Sequence, residues 1–103
     1  MTDTSPEHLV YRRLPDVSFS LFGEEGLLVV PRGAWQVVLN GTGARAFDLV
    51  DGRRTVGEIA EALAGEYPGV SREEIARDVA ELLADLAERG AVERAGEGSP
   101  EVP

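Results

Sequence analysis

Trp35-Gln36-Val37-Val38-Leu39-Asn40-Gly41-Thr42-Gly43-Ala44-Arg45-Ala46-Phe47 is the stretch in which the chain changes its period. As far as Leu39 the pattern alternates, placing Trp35, Val37 and Leu39 on the inward face of one strand. Gly41-Thr42-Gly43 breaks that alternation. Thr42 then suits the cap of a short helix carrying Ala44, Phe47, Leu49 and Val50. Asp51-Gly52 ends it, because glycine accepts the left-handed exit of a helix.

Upstream of this junction the chain reads as strands. Val17-Ser18-Phe19-Ser20-Leu21 alternates, with Val17, Phe19 and Leu21 on one face, and Gly23-Glu24-Glu25-Gly26 turns the chain. Leu27-Leu28-Val29-Val30 is a short apolar run, and Pro31-Arg32-Gly33 turns the chain again. Three strands joined so tightly predict an antiparallel meander with one buried and one wet face. Downstream the chain reads as helices. Thr55-Val56-Gly57-Glu58 and Ser71-Arg72-Glu73-Glu74 are both capping boxes, in which hydroxyl and carboxylate satisfy the free backbone N–H groups of a first turn. The first opens a helix with Val56, Ile59, Leu63 and Tyr67, stopped by Pro68-Gly69. The second opens the longest helix, to about Arg89, ended by Gly90; Ala91-Val92 can return as a short extended piece. The expected fold is α+β, a three-stranded antiparallel sheet followed by a three-helix bundle, of winged helix-turn-helix-like build. Residues 9–94 form the domain. The polar, turn-rich ends 1–8 and 95–103 are expected to be disordered.

Composition narrows the function. A chain of 103 residues without cysteine has no disulfide or thiolate metal site, and no stretch reaches the ~20 apolar residues of a membrane span. The start has neither a basic nor an apolar signal-peptide region, so a cytoplasmic protein is expected. The sole histidine, His8, sits in the polar N-terminal segment, which leaves no base for a serine triad and no histidine cluster for a metal. Gly41-Thr42-Gly43 lacks the lysine of a phosphate loop. No catalysis, no cofactor and no metal are expected. The helix pair suggests DNA binding, but its second helix carries Glu73, Glu74, Asp78, Glu81, Asp85 and Glu88 against Arg72, Arg77 and Arg89, within a net charge of −9. That sign repels phosphates, so no nucleic acid is expected.

Two features point instead to peptide binding. The strand 35–39 has no proline and no charge, so its edge is open to an added strand, whether a peptide or a second copy of the chain. On the long helix Ile75, Val79, Leu82 and Leu86 fall on one line, and Leu83, Ala76, Ala80 and Ala87 on a second beside it. Either the helix touches both the sheet and another helix, or its small-residue flank borders a groove.

Leu39-Asn40-x-x-Gly43-Ala44, Phe47-Asp48-Leu49-Val50-Asp51-Gly52-x-x-Thr55-Val56-x-Glu58-Ile59-Ala60, Ile75-x-x-Asp78-Val79 and Leu83-x-x-Leu86-x-x-x-Gly90-x-Val92 resemble the PqqD family, which includes the RiPP recognition elements. The likeness spans roughly residues 17–94. Gly41 stands where members often have proline, Phe47 where tryptophan is frequent, and Ala91 where leucine is common. The resemblance implies a non-catalytic peptide chaperone. It would bind the leader of a ribosomally made precursor and present it to a modifying enzyme such as a radical SAM protein. It also implies that the leader adds as a strand in a groove. That groove would be lined by Trp35, Gln36, Val37, Val38 and Leu39 on one side and by Ala76, Val79, Ala80, Leu83 and Ala87 on the other. The competing reading is a winged-helix structural or regulatory module, including a degenerate DNA-binding protein.

Overall fold

A computed structural model describes residues 6–97; the disorder expected for 1–5 and 98–103 lies outside the described residues. A 3-10 turn, Pro6–His8, leads into β1 (Leu9–Arg13), β2 (Ser18–Phe22), β3 (Glu25–Val30), β4 (Trp35–Asn40), α1 (Gly41–Asp48), α2 (Val56–Glu66), α3 (Arg72–Glu88) and β5 (Val92–Glu97). β2, β3 and β4 pair antiparallel in chain order, the expected meander. Its inner face buries Leu28 and Val30 against helices that contribute Phe47, Ile59, Leu63, Ile75, Val79, Leu83 and Leu86.

The helices begin where their caps place them. Thr55 Oγ1 accepts from Glu58 N–H at 3.0 Å while Glu58 Oε1 accepts from Thr55 N–H at 2.9 Å, so α2 carries the complete reciprocal box. At α3 the hydroxyl half is made, with Ser71 Oγ accepting from Glu74 N–H at 3.1 Å. α1 differs from expectation. Asn40, not Thr42, is its N-cap and makes no side-chain capping bond. Gly41 has φ +57°, where a strand turns directly into a helix and a Cβ would be strained, and its N–H donates to Glu24 O at 3.1 Å. The helix stops at Asp48, and Val50 N–H turns back to Phe47 O, leaving Leu49 and Val50 beyond its end.

Both ends are more ordered than their composition suggests. β1 and β5 form a second, two-stranded antiparallel sheet, with Leu9 opposite Glu97 and Arg13 opposite Val92. The expectation of disorder at 6–8 and 95–97 is corrected accordingly. Val10, Tyr11 and Val92 are buried, Tyr11 O accepts from Gly52 N–H, and Ala91 O accepts from Leu14 N–H. Non-local pairing and burial supply an order that the local sequence of either segment does not.

Candidate functional site

β4 is a terminal strand, bonded to β3 on one side and bare on the other among the described residues. Its register shows which backbone groups face the bare side. Asn40 stands opposite Glu25, so Gly41 stands opposite Glu24, and Gly41 N–H donates to Glu24 O. In an antiparallel ladder, residues with both backbone groups turned to the partner alternate with residues whose groups both turn away. Trp35, Val37 and Leu39 therefore bond to β3, whereas Gln36, Val38 and Asn40 aim N–H and C=O at the open edge.

Beside that edge lies a groove of about 330 Å³ between β4 and the C-terminal half of α3. Trp35, Gln36, Val37 and Leu39 form its strand side, and Leu82, Asp85, Leu86 and Arg89 its helix side. One end is built around the indole. Trp35 Nε1 donates to Arg89 O at 3.1 Å, and the Arg89 guanidinium lies 5.8 Å above the ring while its Nε donates to Asp85 Oδ2 at 3.0 Å. The ring also leans on Gly33, where an added Cβ would come within 2.6 Å of Trp35 Cδ1, so any larger residue would displace it. Toward α1 a smaller hollow of about 110 Å³ is lined by Thr42, Gly43, Ala46, Asp78, Val79 and Leu82. Leu82 lines both hollows, so one helix flank serves the whole length.

The strand residues expected at the site meet the groove with alternating sides. Trp35, Val37 and Leu39 are half-buried and line it, Gln36 borders it, and Val38 is 55% exposed on the opposite face. The helix side departs from expectation. Ala76 and Leu83 are buried in the core, Ala80 and Ala87 pack partly buried against it, and none of the four lines either hollow; Val79 lines the smaller one. The small-residue line is occupied by the protein's own interior, and the groove uses the other flank of α3. Asp85 and Arg89, absent from the expected lining, form the groove's helix wall with Leu82 and Leu86, which the sequence places on the first apolar line of the helix. The available signal was the 4-3-4 spacing of Asp78, Leu82, Asp85 and Arg89, which puts two acids and a cation in line with an apolar residue. Among the described residues no group of three or more potential ligands is placed to hold a metal, and no helix is long and apolar enough to cross a membrane.

A meander whose β4 edge is unpaired among the described residues, three helices and a groove between that edge and the third helix define a small winged-helix-like α+β domain. The chain belongs to the PqqD family: the family described as Coenzyme PQQ synthesis protein D (PqqD) matches residues 25–92. It is 44% identical over 52 residues to a PqqA binding protein of Gluconobacter oxydans (strain 621H). That match takes in 50% of this chain and about half, 53%, of the relative. Among solved structures, the PqqD truncation of Methylobacterium extorquens PqqCD, a stand-alone RiPP recognition element, superposes with a TM-score of 0.70 at 27% identity, over 90% of this chain and 97% of that one. A lasso peptide synthetase B1 complexed with a leader peptide gives 0.68 at 27% identity, over 80% and 95%. TbiB1 has the same fold, with a TM-score of 0.71 at 24% identity, over 80% and 94%.

Proposed function

We propose that this domain binds the leader segment of a ribosomally made precursor peptide and presents it to a modifying enzyme, a radical SAM protein being the leading candidate. The observation that carries the reading is the bare edge of β4, with Gln36, Val38 and Asn40 offering backbone groups beside an apolar groove. An extended peptide pairs its main chain with that edge and turns alternate side chains into the groove, so main-chain bonds supply affinity and the walls supply selectivity. Relatives that bind PqqA or hold a leader peptide support the same use of the fold. The domain acts by binding rather than catalysis, without a cofactor, in the cytoplasm where precursors are made.

The test is a search of the gene's neighbourhood for a short precursor and a titration with the leader it encodes, followed by amide chemical shifts. Changes should cluster on 35–40 and on Leu82, Asp85, Leu86 and Arg89. Shifts confined to α2 would overturn strand addition, and the absence of any binding would overturn the function.

A further inference from the structure

The groove is electrically uneven along its length. At about 100° per residue, Asp78, Leu82, Asp85 and Arg89 form the flank of α3 beside β4, and Glu74, Glu81 and Glu88 form the next row outward, all three exposed. At the Trp35 end the charge is largely offset, because Arg89 is bonded to Asp85 and lies over the indole, which leaves only Glu88 of the outer row there. At the α1 end it is not. Asp78 lines the smaller hollow, and neither it nor Glu74 nor Glu81 makes an ion pair among the described residues. Arg72 is occupied by Glu7 and Glu61, and Arg77 lies beyond the outer row, away from the groove. The carboxylates of Asp78, Glu74 and Glu81 thus have no ion-pair partner among the described residues, on a chain whose net charge is −9.

We propose that the groove selects an extended segment that is apolar toward its walls and cationic at the end lying over Asp78 and Glu81. Charge thereby sets the orientation of the ligand as well as its class. The proposal rests on the peptide-binding reading above. A lysine or arginine there lays its methylene stem along Leu82 and keeps its head among the carboxylates. An acidic residue at the same place meets only like charge. Exposed pairs add little affinity one by one, but they discriminate between partners and speed encounter.

The experiment is a selection of displayed random twelve-residue peptides on the wild-type protein and on Asp78→Lys/Glu81→Lys. The wild type should enrich peptides with lysine or arginine in one half, whose binding weakens about three- to tenfold between roughly 0.05 and 0.5 M salt. The double variant should lose or reverse that bias. Should it fail to fold, Glu74→Lys/Glu81→Lys, at two exposed helix positions, should still reduce the bias. Enriched peptides without cationic bias, or a bias unchanged in a folded charge-reversed variant, would overturn the inference and leave peptide binding standing. Enriched peptides indifferent to Val38→Pro, or no enrichment at all, would bring down the strand-addition reading and this proposal with it.

Discussion

The Phe47 ring is fully buried, tilted at 58° against Phe19 with the centroids 4.8 Å apart. The Arg13 guanidinium lies 4.8 Å from the Phe47 centroid and 5.4 Å from that of Phe19, and Arg13 Nη2 donates to Phe47 O at 2.7 Å. One side chain of β1 thus holds α1 and β2 together through two rings and a carbonyl. Arg13 Nε is buried without a hydrogen-bond partner among the described residues, and burial holds the guanidinium pKa below its ordinary value, with Asp48 opposing. Phe47→Ala should cost ~3–5 kcal/mol, a large part of a small domain's stability, measured by chemical denaturation. Arg13→Lys keeps the charge but loses the planar fork that meets both rings and the carbonyl, and should cost about 1–2 kcal/mol in the same measurement. An unchanged midpoint for either variant would refute that residue's part in joining β1, β2 and α1. Phe47 was legible from the sequence as a core residue of a short helix. Arg13 was not, because nothing in Leu9-Val10-Tyr11-Arg12-Arg13 announces that one arginine turns inward and its neighbour outward.

Single strands and linkers make sharper predictions. Proline removes a backbone donor, and edge strands tolerate it where that donor faces away from the sheet. Val38 N–H points to the bare edge and Val37 N–H to β3. Val38→Pro should therefore stay folded and lose leader binding, whereas Val37→Pro should break the β3–β4 ladder and lower the melting temperature by several degrees. Circular dichroism and a leader titration separate the two outcomes, and the reverse result would invert the assigned register. Between α1 and α2, the backbone N–H groups of Arg54 and Arg53 both donate to Asp51 Oδ1 at 2.9 Å, and the Arg54 guanidinium reaches Oδ2 at 3.0 Å. The Arg54 N–H bond foremost, joined by the Arg53 bond and the Arg54 charge, holds the Asp51 carboxyl below its ordinary range against the opposing effect of burial. A depressed folded-state pKa stabilises above the unfolded value and is lost as pH falls through the folded one. Asp51→Asn should therefore flatten the loss of stability below about pH 4, followed by thermal melts across that range. The capped helices and the meander were legible because their signals are local. The groove's helix wall was not: periodicity reveals how wide an apolar arc is, but not which flank the protein's own core will fill.

The molecule as a whole depends on a sheet that its sequence conceals. β5 reads Val92-Glu93-Arg94-Ala95-Gly96-Glu97, polar and glycine-containing, and its partner lies some eighty residues earlier. Extended structure there comes from pairing across the chain, a contact that no short window can display. Arg12 and Glu93, opposite one another, form an ion pair across it, and Val92 is 1% exposed. Val92→Asp would place an unpaired carboxylate in that interior and should abolish cooperative thermal unfolding, whereas Arg12→Gln, at an exposed position, should change stability by less than ~1 kcal/mol. The pairing also has an architectural outcome. Because Leu9 and Glu97 stand side by side, chain could leave and re-enter at a single point on the surface. A domain so closed can be spliced into a loop of a larger enzyme, or hung from either end of one, like a handle on one rivet: the grip stays the same while the tool it belongs to changes.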